Sequence, residues 1–130
     1  MDTTHPYLAS TVPGTSDPPG LAEFYRELLG WVYRDEDHES DDTWVVIKPP
    51  GGGTGLSFQL ETEHQPPTWP TRADTQQMQL HLDIGVDDLK AAVSRTEGLG
   101  ARQAEEQPQE LVRVMHDPAG HVFCLFAPGG

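Results

Sequence analysis

The 130-residue chain has little of three things: cysteine, positive charge and long apolar runs. Its single cysteine, Cys124, excludes an intrachain disulfide and suits a reducing compartment. Only eight lysines and arginines stand against 21 aspartates and glutamates, a formal net charge of −13. Such a surface repels phosphate backbones and anionic lipid, so neither nucleic acid nor membrane is an expected partner. It attracts cations instead. No apolar stretch is long enough to span a bilayer, and the start MDTTHPYLAS lacks the basic and apolar regions of a signal peptide. A soluble, cytoplasmic protein is the simplest expectation, with enough chain for one modest core.

What is present is a pattern of short elements. YLASTV (7–12) reads as a strand ended by the Pro13-Gly14 turn signal. In SDPPGLAEFYRELLGW, Ser16 or Asp17 can cap a helix, prolines suit its first turn and Gly30 ends it. Leu21, Phe24, Tyr25, Leu28 and Leu29 recur at helical spacing. WVYRDE (31–36) and TWVVIKP (43–49) read as strands joined across DEDHESDD (35–42), an acidic run taken as a solvated hairpin loop. GGGTG lacks the lysine-serine/threonine ending of a phosphate loop and is turn chemistry. GLSFQLE (55–61) alternates as a strand should.

A proline-rich linker, 62–76, follows, and after it the order of elements repeats. The strand QMQLHLDIGV leads to the helix VDDLKAAVSRTEGLG, with Leu89, Ala92, Val93 and Thr96 on one stripe and Asp87 near its start. Three strands close the chain: ARQAEEQ, ELVRVMHD and GHVFCLF. The layout is β-α-β-β-β twice. It predicts an α+β fold in a single domain spanning 1–130, with module one over about 7–61 and module two over about 77–127.

Three stretches carry a family resemblance: DPPGLAEFYRELLGW, LHLDIGVDDLKAAV and DPAGHVFCLF. Their order and spacing resemble the vicinal oxygen chelate superfamily, the glyoxalase, bleomycin-resistance and dioxygenase group, and most of all its small bacterial glyoxalase-like domains. The likeness covers residues 7 to 127. It implies two βαβββ modules forming a curled mixed sheet around a cavity, usually in a homodimer. It also implies four strand positions that in the enzymes hold a divalent metal. In this sequence they fall on Ser10, Gln59, His81 and Cys124. Only His81 is a common ligand type; the set is a poor cage for magnesium, manganese or iron. No metal and no cofactor are therefore expected.

Period-two geometry puts Gln79, His81 and Asp83 on one strand face and Leu80, Leu82 and Ile84 on the other, so the polar trio is expected to face the cavity. There His81 is open to three roles: ligand contact, general base, or a hydrogen bond to Asp83 or Gln59. Ser57 shares its face with Gln59. Trp44, Trp69 and Met115 are candidate apolar walls, with Trp69 in the linker; Arg113 is a candidate for an anionic ligand group or a protein carboxylate. Cys124 is read as a small buried hydrophobe or a thiol donor. The expected function is metal-independent small-molecule binding, with sequestration of a cationic or peptide antibiotic as the nearest precedent in the resembled family. The alternative is a divalent-metal lyase, isomerase or dioxygenase, and a third reading is a partner domain with a vestigial cavity.

Overall fold

A computed structural model describes residues 5–128. The chain separates into two compact units, Met1–Glu63 and His64–Gly130. Each carries one βαβββ module, and the proline-rich linker falls in the second apart from its first two residues.

In the first unit, the short strands β1 (Ser10–Thr11) and β2 (Gly14–Thr15) precede helix α1 (Pro18–Leu29). Then come β3 (Val32–Tyr33), β4 (Trp44–Lys48) and β5 (Gly55–Leu60). Both β1 and β2 pair parallel to β5, and the sheet continues antiparallel through β4 to β3. The strand expected over 7–12 is shorter and split. Pro13 lies at the break; it has no N–H to give a ladder, and its carbonyl accepts from Gln59 N at 3.2 Å. Tyr7 and Leu8 lie outside the ladder, each 71% exposed.

Asp17 caps α1 by accepting from Gly20 N at 3.1 Å, prolines occupy the first turn, and Gly30 ends the helix in the left-handed region at φ 69°. The predicted apolar stripe is real: Leu21, Phe24 and Tyr25 are buried. Tyr25 stacks on Phe58 of β5 with centroids 5.9 Å apart and meets Phe24 edge-on at 4.9 Å. Cross-strand partners share a face, so register assigns the sides. Val45, Ile47, Leu56 and Phe58 form the apolar face, while Trp44, Val46, Ser57 and Gln59 lie on the other.

The second unit repeats the plan with β6 (Leu82–Gly85), α2 (Leu89–Gly98), β7 (Arg102–Gln103), β8 (Val112–His116) and β9 (Val122–Phe126). Again the first strand pairs parallel with the last, giving the order β6-β9-β8-β7. Asp88 caps α2, accepting from Ala91 N at 3.1 Å, and Asp87, expected near the start of the helix, directly precedes it. Thr96 is the buried member of the helix stripe. The strand expected from Gln77 begins only at Leu82, and Leu80, expected on the packed face, is 64% exposed. In the DPAGH turn Asp117 Oδ1 accepts from the amides of Ala119 and His121 at 2.9 and 3.0 Å. Gly120 sits at φ 86°, where a Cβ would also come within 2.5 Å of Pro66. No helix among the described residues is long and apolar enough to cross a membrane.

Candidate functional site

In the first unit the sheet face opposite α1 carries Ser10, Trp44, Ser57 and Gln59. Ser10 Oγ lies 2.7 Å from Ser57 Oγ, and Ser57 is buried. The two hydroxyls are thus committed to each other. Gln59 is directly opposite Trp44, and both are exposed. This surface offers neutral hydrogen-bonding groups beside an indole.

In the second unit β6 and β9 bring three candidates together. Asp83 pairs with Cys124 across the parallel ladder, and His81 Nε2 lies 3.0 Å from an Asp83 carboxylate oxygen. One donor atom each from His81, Asp83 and Cys124 falls within 4.8 Å of the others. The thiol is pushed above its usual range, first by burial and second by the negative charge of Asp83. Such a sulfur holds its proton, which suits neither a nucleophile nor a ready metal ligand.

Val114 is opposite Cys124 on β8, so Cys124, Asp83 and Val114 share a face. Met115 and Arg113 pair with Phe123 and Leu125 and therefore lie on the other face. Asp83, Cys124, Arg113 and Met115 were all expected toward one cavity; register instead puts Asp83 and Cys124 on one face of this sheet and Arg113 and Met115 on the other. Met115 is fully buried with Phe123 and Leu125. One guanidinium nitrogen of Arg113, Nη1, donates to the carbonyls of Gln109, Glu110 and Val112 at 2.9–3.0 Å, and no carboxylate pairs with Arg113 among the described residues.

Trp69 lies on the Cys124 side, packed with Met78 and Cys124 against Ala104, Val114 and Val122. Its indole N–H donates to Glu106 O at 3.0 Å. The linker is anchored further by His64 Nε2, 2.8 Å from Ala119 O, and by the Thr68 amide donating to Gln76 O. His121 is half-buried, its ring 4.8 Å from that of His64.

Sequence reasoning missed a cluster in the first unit. Arg26 donates to both oxygens of Glu23 at 2.7 and 2.8 Å, and Tyr33 O–H donates to the same carboxylate at 2.6 Å. The Arg26 hydrogen bond, aided by that of Tyr33, lowers the Glu23 carboxyl to about 2 against the cost of burial. Burial first, then Glu23, pushes the Tyr33 phenol up to about 12. His38, from the acidic run, stacks on Tyr33 with centroids 3.5 Å apart and planes 4° from parallel. The only sequence signal was an arginine three residues after a glutamate on a helix.

Two βαβββ modules, each closed by a parallel pairing of first and last strands, define a glyoxalase-type α+β protein. Residues 10–126 match the Glyoxalase-like domain family, and the chain belongs to it, within the vicinal oxygen chelate superfamily. A glyoxalase/bleomycin resistance protein/dioxygenase family enzyme from Burkholderia phytofirmans PsJN is similar, with TM-score 0.67 and 15% identity over 94% of this chain and 98% of that one. TnmS3, an antibiotic binding protein from Streptomyces sp. CB03234, has TM-score 0.58 and 19% identity over 98% of this chain and 100% of that one. A glyoxalase/dioxygenase from Nostoc punctiforme has TM-score 0.64 and 20% identity over 92% and 89%. Identities of this size establish the fold alone. A search of curated proteins finds no match.

The metal implied by the family's enzymes does not fit the four corresponding positions. Ser10 is bonded to Ser57, Gln59 is a neutral amide, and Cys124 holds its proton. That leaves His81, already 3.0 Å from Asp83, as the one strong donor among the four.

Proposed function

We propose that this protein binds a small molecule without a metal and sequesters a drug or natural product, in the manner of the bleomycin-resistance branch. The observation that carries the reading is the first-unit face, where two of the superfamily's metal positions hold a serine engaged with Ser57 and a neutral glutamine beside Trp44. Hydrogen bonding and aromatic contact are the chemistry left there, and both bind rather than transform. The net charge of −13 favours a cationic or peptide ligand through long-range attraction. That TnmS3, a protein of this fold, is an antibiotic binding protein supports the same direction. Ser10, Trp44, Ser57 and Gln59 of the first unit, and Trp69, His81, Asp83 and Cys124 of the second, are the proposed contact residues. We place the protein in the cytoplasm as a homodimer, as the single cysteine and the family suggest.

The test is calorimetric and fluorescence titration with a panel of cationic and peptide antibiotics. Saturable binding that Gln59→Ala and His81→Ala weaken supports the proposal; no saturable binding across the panel refutes it. A second reading, a metal-dependent lyase, isomerase or dioxygenase, draws on the convergence of His81, Asp83 and Cys124. Imidazole, carboxylate and thiolate together suit zinc better than magnesium. Stoichiometric metal in protein purified without chelators, lost in His81→Ala, would replace the first reading with this one.

A further inference from the structure

The Glu23–Arg26–Tyr33 cluster borders an open groove of about 570 Å³ on the first unit. Glu23 and Arg26 look into it from one stripe of α1, Trp31 and Tyr33 from the edge of the sheet, and His38 and Glu39 from the 3₁₀ turn at His38–Ser40. Tyr33 pairs with Ile47, so the groove opens on the α1 side of the sheet, away from Ser57 and Gln59. The volume lies within the range of sites for drug-sized molecules.

The lining has a definite chemical bias. Tyr33 and His38 form a two-ring slab, and Trp31 adds an indole whose N–H has no hydrogen-bond partner among the described residues. Arg26, the cation of the groove, is held by both oxygens of Glu23 and lies 5.6 Å from the centre of the Tyr33 ring. It is therefore spent on internal contacts and is not offered to an anion. Glu39, by contrast, has no ion-pair partner among the described residues, and six of the eight residues from 35 to 42 are acidic, of which only Asp35 is ion-paired, with Arg34. Aromatic faces with uncompensated negative charge favour a flat cation over a flat anion or a neutral ring.

We propose that this groove is a binding site for a planar organic cation: an aromatic ring system bearing a quaternary or protonated nitrogen. The rings of Trp31 and His38 supply stacking surface, and Glu39 with the acidic loop supplies the counter-charge. Glu23 and Tyr33 act as positioning residues, holding Arg26 back and fixing the slab. The site is separate from the sheet-face residues of the proposed function, and either can fail without the other.

The probe is N-methylquinolinium, compared with its neutral carbon counterpart 1-methylnaphthalene and the anion 1-naphthoate, followed by amide chemical shifts of the labelled full chain. Saturable shifts at Glu23, Trp31, Tyr33, His38 and Glu39 with the cation, and binding at least about tenfold weaker for the anion, are expected. Glu39→Gln, an exposed change that leaves the fold alone, is expected to weaken the cation by roughly threefold to fivefold, and Trp31→Leu by as much or more. Equal binding of the three probes, or no saturable shift in the groove, overturns the proposal. Shifts confined to Trp44, Ser57 and Gln59 overturn it while leaving the sheet-face reading in place.

Discussion

Replacing Ser10 by alanine is expected to cost more than replacing Ser57, although the two share one hydrogen bond. Ser57 is 2% exposed and has no other side-chain partner among the described residues, so removing Ser10 strands a buried hydroxyl. The cost of such an orphan is about 1–3 kcal/mol. Removing Ser57 leaves Ser10 only half-buried, with the Thr11 carbonyl 3.3 Å away as another acceptor. That change is expected to cost about 0.5–1.5 kcal/mol, the net worth of an ordinary hydrogen bond. With both serines gone no orphan remains, so the double variant is expected to be no less stable than Ser10→Ala. The coupling between the positions should then be about 1 kcal/mol. Urea unfolding followed by tryptophan fluorescence measures it, because a slope of about 1–3 kcal/mol per molar turns such differences into resolvable midpoint shifts. If Ser10→Ala is as mild as Ser57→Ala, or the single effects simply add, the hydroxyls are not committed to each other. Ser10 would then be free to serve a metal, and the argument against the family's metal set would lose one of its supports.

Cys124 is expected to react slowly with iodoacetamide near neutral pH, because burial and the charge of Asp83 keep it protonated. Asp83→Asn should lower the thiol pKa and speed alkylation, measured by mass spectrometry over time; an unchanged rate would mean that the carboxylate does not act on the sulfur. The Glu23 carboxyl is lowered on folding, so its contribution is present above about 4.5 and is lost as pH falls toward about 2. The stability difference between the wild type and Glu23→Gln is therefore expected to shrink across that window. Glu23 is nearly half exposed, so the difference should stay below about 1 kcal/mol. A difference independent of pH there would show that the pairing with Arg26 is not felt in solution.

Helix α1 was readable because several local signals agree: Asp17 at the cap, prolines in the first turn, Gly30 at the end and an apolar stripe. Strand lengths were less readable, since alternation cannot say where a partner strand stops. Tyr7, Leu8 and Leu80 all continue a strand pattern, yet lie outside any ladder. Likewise, the two faces of β8 needed register: Arg113 and Met115 are plausible pocket residues until Val114 is seen opposite Cys124. The convergence of His81 with Asp83 follows from period two, but that of Cys124 needs the pairing of β6 with β9, far apart in sequence. His38 gave no signal at all. In a run of acids it reads as a solvated residue, and only the fold of the turn places it on Tyr33.

The parallel closure of each module also sets an order of events during synthesis. Ser10 waits for Gly55, and Leu82 waits for Phe123, before either first strand has a ladder partner. Neither sheet can be completed from its beginning; the opening strand is the piece added after the hairpin β4–β5 or β8–β9 exists. Such distant pairings put loop-closure entropy ahead of the reward and slow folding relative to local topologies. A nascent chain that stops before Val122 therefore has β6 without its partner, and the meeting of Asp83 and Cys124 waits until β9 has been made.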